Sequence, residues 1–325
     1  MDRNRVTGFL GEDWEAVNRL IRESLKSDIS LLNTTNENIL AHNGKMLRPM
    51  LCLLMARVCG GQANKDSCKF AAAAELLHNA TLLHDDVADE STERRGIPTT
   101  ASILGGPASV LLGDFWLVKA VDLILSSSHS EEVVKLFSKT LSDLAEGEML
   151  QLQKASAADT SMEDYFRIIY SKTASLFEAA CVSSAISVEA PEEMRNAAKE
   201  YGRNLGIAFQ IKDDIMDYEP SDNIGKPTGV DLREQKITLP LLGALKHVSA
   251  DRDKEVRSMI RNINEKPDQC ELVREFVLEN KGLDFAGDCL EEYVRNAKGS
   301  LSILPECEAR AMLESLAEFT AYRKI

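Results

Sequence analysis

The sequence predicts an all-α protein, one helical bundle over residues 1–325, and three observations carry that prediction. Apolar residues recur at three- and four-residue spacing through most of the chain, the period of a helix with a buried face. No segment shows the extended β-branched alternation of a half-buried strand. The nine prolines fall mostly where connections are expected, and 44% hydrophobic residues suffice for a sizeable core.

The first periodic segment is Trp14–Leu25. Met50–Val58 follows, opened by Pro49, whose fixed φ suits a first helical turn. It stops at the Gly60-Gly61 pair, where backbone freedom ends a helix. Cys68–Asp89 is the longest apolar stretch in the first third. Its segment Ala71–Leu83 is apolar nearly all round, which places it at the centre of the bundle. Gly105-Gly106 precedes the helix Ala108–Leu125, and Val133–Lys154, Met162–Val188 and Met194–Asp217 complete the long helices. Pro220 ends the last of these, and shorter helical segments follow Pro240. No repeat, low-complexity tract or Ser/Gly linker divides the chain.

A formal charge of −14 argues against a nucleic-acid binder, since affinity for phosphate backbones comes from Lys and Arg. Seven cysteines without a CxxC pair read as free thiols in a reducing compartment. The opening MDRNRVTGFLGEDWEAV has no apolar targeting core, and no run of about 18 apolar residues could cross a bilayer. A soluble, cytoplasmic protein is expected.

Two similar acidic segments carry the most chemistry. HDDVAD holds Asp85, Asp86 and Asp89, and KDDIMD holds Asp213, Asp214 and Asp217. Each closes a long apolar helix, where the helix dipole is negative and a carboxylate costs about 0.3–1 kcal/mol. Asp85 with Asp89, and Asp213 with Asp217, are also like-charge i,i+4 pairs, costing about 0.2–0.5 kcal/mol each. Stability alone would put these residues at the other end of a helix. Carboxylates side by side on one face, with oxygen-only chemistry, suit Mg²⁺ rather than Zn²⁺. The alternative is a pair of solvated helix ends.

Basic residues complement the acids. Lys45 and Arg48 in GKMLRP sit at a helix opening, where a cation opposes the dipole and a bound phosphate would relieve it. Arg94-Arg95 follows the first acidic cluster closely enough to fold two guanidinium forks toward a metal-bound anion. Lys172-Thr173 interrupts an apolar helix, where a lysine needs a partner. Lys226 and Lys236 flank the loop after the second cluster. His78 lies two turns before Asp85 on one helix face, and is either a satisfied core residue or part of the site. Gln210 either orients an anion or hydrogen-bonds within the bundle.

In this order, GKMLRP (44–49), LLHDDVADESTERRG (82–96), GEMLQ (147–151), KTASLF (172–177), FQIKDDIMDY (209–218) and GKPTGVDLREQKITLP (225–240) resemble the trans-isoprenyl diphosphate synthases, the polyprenyl synthetase family. The resemblance covers nearly the whole chain. It implies an all-α bundle around a deep central cavity, a homodimer, and the two acidic motifs facing each other across the cavity mouth. It implies that Lys45, Arg48, His78 and Arg95 hold isopentenyl diphosphate. Asp85, Asp89 and Asp213 would ligate three Mg²⁺ ions on an allylic diphosphate, supported by Asp86, Asp214 and Asp217. Arg94, Lys172, Thr173, Gln210, Lys226 and Lys236 would contact that diphosphate. The reaction implied is ionisation of the allylic diphosphate and attack by the isopentenyl double bond.

Product length is read from the same helix. Ala80 lies five residues before Asp85, about 7.5 Å deeper at 1.5 Å per residue. In the family a bulky aromatic near this depth stops growth at short products. Here Ala80 is followed by Thr81, with Leu77 a turn below, so a long product of C30 to C50 is expected, and Phe115–Leu125 is the expected floor. The rival readings are a short-chain farnesyl or geranylgeranyl diphosphate synthase, a terpene cyclase, and a non-catalytic subunit of a heteromeric synthase. A long product must finally leave for a bilayer, so transient membrane contact is also expected.

Overall fold

The computed structural model describes residues 3–94, 96–219 and 229–322. Its helices are α1 (Arg3–Leu10), α2 (Glu12–Ser24), α3 (Ser30–Ala41), α4 (Leu47–Gly60), α5 (Lys65–Ala88), α6 (Thr100–Leu104), α7 (Gly106–Leu125), α8 (Ser130–Ala157) and α9 (Met162–Ile169). A π-helical turn, Tyr170–Ala174, leads into α10 (Ser175–Ser187) and α11 (Glu192–Tyr218). Then come α12 (Val230–Arg233), α13 (Leu239–Leu245), α14 (Ala250–Arg261), α15 (Gln269–Glu279), α16 (Gly282–Ser300) and α17 (Glu308–Tyr322). The one departure from the expected all-α pattern among the described residues is a two-residue antiparallel ladder, β1 (Glu93–Arg94) with β2 (Ile97–Pro98).

The chain packs as two compact units. One comprises Met1–Ser138, Ala179–Lys199 and Ile303–Leu313, the other Lys139–Glu178, Glu200–Ser302 and Glu314–Ile325. In the first, α5 is central, with every residue from Ala71 to Leu77 buried. Its start is fixed by a capping box: the Asn64 side chain accepts from Ser67 N–H (2.9 Å) while the Ser67 hydroxyl accepts from Asn64 N–H (3.1 Å). α7 runs antiparallel to it along most of its length. The His84 imidazole of α5 lies over Gly113, where an added Cβ would meet its Nε2 at 2.3 Å, so any side chain there would have to displace the ring. The Asn36 amide joins three elements, accepting from Trp116 Nε1 (2.8 Å) and donating to the Leu25 carbonyl (3.0 Å).

In the second unit α13 is wholly buried and packs on α15 and α16. The sequence predicts one helix over Met162–Val188, whereas the structure divides it into α9, the π turn and α10. The extra residue in the π turn changes which side chains face inward, a local feature that apolar periodicity does not register. Among the described residues no helix is long and apolar enough to cross a membrane.

Candidate active site

The first acidic cluster ends α5. Asp89 is the C-cap, its N–H bonded to the Asp85 carbonyl (2.8 Å), so the two carboxylates leave the helix one turn apart. Asp85 is half-buried and Asp89 exposed. Asp86 turns inward and is buried, and Arg94 Nε and Nη2 both donate to its Oδ1 at 2.8 Å. The β1–β2 ladder, turned through Gly96 at φ 78°, brings Arg94 back over the helix end to make this pair. The guanidinium predicted to meet a diphosphate is therefore held by the neighbouring carboxylate. Arg95 lies outside the described residues.

Met46 caps α4 in the left-handed region (φ 50°), with Lys45 exposed just before it and Arg48 buried in the first turn. No acidic residue occupies that turn, so the basic opening expected from the sequence is present. His78 is half-buried on α5, and its carbonyl accepts from the Thr81 hydroxyl (2.8 Å). That bond turns the Thr81 oxygen onto its own helix. Leu77 and Ala80 are fully buried. A separate cavity of about 350 Å³ lies on another face of α5, walled by Leu82, Leu83, α3 and α6, with the Asp86–Arg94 pair on its lining.

The second cluster ends α11. Asp213 and Asp217 are half-buried and Asp214 is buried. Asp214 Oδ2 accepts from the Tyr165 hydroxyl (2.6 Å) and Oδ1 from Gln210 Nε2 (2.9 Å). Asp217 accepts from the N–H groups of Val230 (3.0 Å) and Asp231 (3.1 Å), capping the short helix α12. Beside these acids lies a cavity of about 140 Å³ whose lining includes Lys172, Thr173, Gln210, Asp214, Asp231 and Lys236. Four residues predicted from distant sequence segments to contact one diphosphate are thus brought together. Lys172 has the partner its apolar helix demands, an ion pair with Glu148. Lys236 pairs with Glu234. Gln210 lines this cavity and hydrogen-bonds within the bundle, its Oε1 accepting from the Thr173 hydroxyl (2.8 Å). Lys226 lies outside the described residues.

Burial sets the ionisation of this cluster. The Asp231 carboxyl is pushed up to about 7, first by burial and then by the charge of Asp217, with Lys236 opposing. Burial also holds Asp214 well above the usual carboxylate range, followed by the charge of Asp231. A carboxyl whose folded pKa exceeds its unfolded value binds more protons in the folded state, so its contribution to stability is complete below about pH 4 and lost as pH rises through about 7. Asp231→Asn should therefore raise Tm at pH 8 and leave it nearly unchanged at pH 4. At about 2–4 °C per kcal/mol, thermal melts at the two pH values would detect the difference. An equal shift at both would contradict the burial argument.

Residues 29–277 match the polyprenyl synthetase family model. The chain belongs to the polyprenyl synthetase family. It is 38% identical over 324 residues to octaprenyl diphosphate synthase of Escherichia coli (strain K12), covering 99% of each chain. It is 36% identical over 315 residues to the geranyl-diphosphate-specific all-trans-nonaprenyl-diphosphate synthase of Rhodobacter capsulatus, covering 97% of this chain and 96% of that one. A polyprenyl synthase from Caulobacter crescentus CB15, crystallised with calcium and isoprenyl diphosphate, superimposes with a TM-score of 0.91 at 36% identity, covering 100% of this chain and 98% of the other. The family is one of prenyltransferases, and the fold is the all-α fold of its solved members.

For a polyprenyl synthetase, the acids present fit a hard divalent ion. Among the described residues no three His, Cys, Asp or Glu side chains converge into a metal cage. Magnesium does not require one, because it is held by one or two carboxylates together with water and substrate phosphates. Asp85 and Asp89, one turn apart with oxygen donors only, match that demand. Three residues of the second unit were not assigned a role from sequence: Glu148, Tyr165 and Asp231. Glu148 lies within the GEMLQ segment, and its role would have followed from asking what neutralises Lys172. Tyr165 reads in sequence as an ordinary core aromatic of α9, with nothing in its neighbours to signal Asp214.

Proposed function

We propose that this protein is a long-chain all-trans-polyprenyl diphosphate synthase that condenses isopentenyl diphosphate onto an allylic diphosphate. The observation that carries the site assignment is the 140 Å³ cavity that gathers Lys172, Thr173, Gln210 and Lys236 beside Asp214. Cations and hydroxyl or amide groups converging on one small hollow match the needs of a diphosphate. The chain-length assignment rests on the likeness to long-product synthases and on the small side chain at position 80.

In this proposal Asp85, Asp89 and Asp213 hold Mg²⁺, three ions per site, on the allylic diphosphate. Bound there, magnesium would neutralise charge developing on the departing pyrophosphate. Lys172, Lys236, Lys226 and Arg94 bind the same group, Arg94 exchanging the Asp86 carboxylate for a phosphate oxygen. Thr173 and Gln210 orient it, and Glu148 holds the Lys172 ammonium in place. Lys45, Arg48, His78 and Arg95 hold isopentenyl diphosphate so that its double bond meets the allylic carbon. The released pyrophosphate takes the proton lost after attack. No side-chain nucleophile is required, and catalysis comes from groups aimed at charge that forms in the transition state. Residues 1–325 act as one catalytic domain in this reading.

The protein works as a homodimer in the cytoplasm. Two observations support this: α7 exposes Leu111 (68%), Val118 (52%) and Leu125 (56%), an apolar face that a second copy would cover, and all seven cysteines are free thiols. Incubation with farnesyl diphosphate, labelled isopentenyl diphosphate and Mg²⁺ should yield products of C30 to C50. No incorporation, or products ending at C15 or C20, would overturn the assignment. Ala80→Phe should shorten the products to C15–C20, with an overpacking cost of about 1–3 kcal/mol measured by melting. Unaltered product lengths in a folded variant would mean the growing chain does not pass Ala80.

A further inference from the structure

Four side chains of the second unit form a single line of hydrogen bonds. Tyr165 and Asp214 are both buried. The Tyr165 hydroxyl donates to Asp214 Oδ2 (2.6 Å), Gln210 Nε2 donates to Asp214 Oδ1 (2.9 Å), and the Thr173 hydroxyl donates to Gln210 Oε1 (2.8 Å). In this arrangement the Gln210 amide presents its NH₂ to one Asp214 oxygen and its own oxygen to Thr173, while the Tyr165 hydroxyl takes the other Asp214 oxygen.

The start of the line is rigidly held. Helix α9 opens with a capping box in which Ser161 and Asp164 exchange hydrogen bonds (3.1 and 3.0 Å). Lys154 pairs with Asp164 at 3.0 Å, and Arg257 donates to the Thr160 carbonyl at 3.1 Å. Tyr165 enters the line one residue after this clamp, so its hydroxyl is delivered from a fixed point.

We infer that Tyr165 is a positioning residue for the allylic diphosphate subsite, acting through Asp214 and Gln210 on Thr173. This rests on the diphosphate reading of the cavity given above. Tyr165 lines the same cavity, but its hydroxyl is committed to Asp214 and reaches the diphosphate only through that line. Its hydroxyl occupies one oxygen of Asp214, which confines the other oxygen to Gln210. Without it the carboxylate is free to turn, and the amide loses the restraint that sets Thr173.

The test is Tyr165→Phe in the full chain, which keeps the ring and deletes one hydroxyl. Two readouts are needed. Calorimetric titration with inorganic pyrophosphate and Mg²⁺ should show binding weakened about 5- to 10-fold, the net worth of one ordinary hydrogen bond. Steady-state kinetics should show KM for the allylic diphosphate raised by a similar factor, and KM for isopentenyl diphosphate within about twofold of wild type. Adding Gln210→Ala should give no further loss beyond Gln210→Ala alone, because both changes break one line. Unchanged pyrophosphate affinity in the variant would overturn the inference, as would equal rises in both KM values with a lowered Tm. The pyrophosphate titration does not depend on turnover. A wild-type protein that binds pyrophosphate but forms no prenyl product would fault the prenyltransferase reading, while the comparison with Tyr165→Phe still decides the positioning role.

Discussion

Asp89→Asn should lower kcat for polyprenyl diphosphate formation by about a thousandfold or more and leave Tm equal to or above that of wild type. The two signs come from separate physics. Asp89 is exposed at the C-terminal end of α5, one turn from Asp85. Removing its charge relieves about 0.3–1 kcal/mol against the helix dipole and about 0.2–0.5 kcal/mol of repulsion from Asp85. The catalytic loss is several kcal/mol, the scale of one preorganised electrostatic contribution to a transition state.

Asp86→Asn in the same motif should behave oppositely in stability. Asp86 is buried and accepts two bonds from Arg94 at 2.8 Å on one oxygen, so the variant keeps a carbonyl acceptor but removes the charge that the guanidinium faces, and lowers Tm. Arg94 is partly exposed, which keeps that loss to about 1–2 kcal/mol. Turnover and thermal melts on the two variants, with and without Mg²⁺, check the contrast. A fall in Tm for Asp89→Asn would mean that the carboxylate is a structural cap rather than a ligand held in reserve.

The same contrast explains what was legible in the sequence. Aspartates at helix C-termini and lysine in an apolar helix are misfits, and a misfit is visible without coordinates because helix geometry alone defines it. The sequence also separates Asp85 and Asp89 from Asp86, since i and i+4 share a face. The tie of Arg94 to Asp86 was not legible, because it depends on a two-residue ladder in a loop read as irregular. Tyr165 was hidden for a related reason: a buried hydroxyl reveals nothing until its partner, far along the chain, is known. The π turn escaped because inserting one residue leaves the apolar pattern of Met162–Val188 nearly intact while redirecting Lys172 and Thr173.

Gly206→Ala should destabilise the protein and abolish most activity, although helix propensity predicts the reverse. In an ordinary helix interior, glycine to alanine gains about 1 kcal/mol. At Gly206 an added Cβ would lie 2.5 Å from the Ala174 Cα and 2.8 Å from its Cβ, and the first of these is backbone that cannot rotate aside. At Gly202, one turn earlier, an added Cβ would lie 2.7 Å from the Phe177 carbonyl oxygen and 2.8 Å from the Glu178 Cα. Helix α11 therefore lies backbone to backbone against the π turn and the start of α10, over two successive turns. Overpacking of about 1–3 kcal/mol exceeds the gain in propensity, so a net loss is expected.

The functional loss should be larger than the loss of stability. Gln210 follows Gly206 by one turn on the same face, and its bond to Thr173 is 2.8 Å. Moving α11 out by even 1 Å breaks that bond and shifts Asp214 with it, a misplacement worth about a hundredfold in rate. Melting curves and kcat/KM for the allylic diphosphate would measure both. A variant as stable and as active as wild type would show that α11 does not set the geometry of Thr173, and the positioning role assigned to its partners would fall with it.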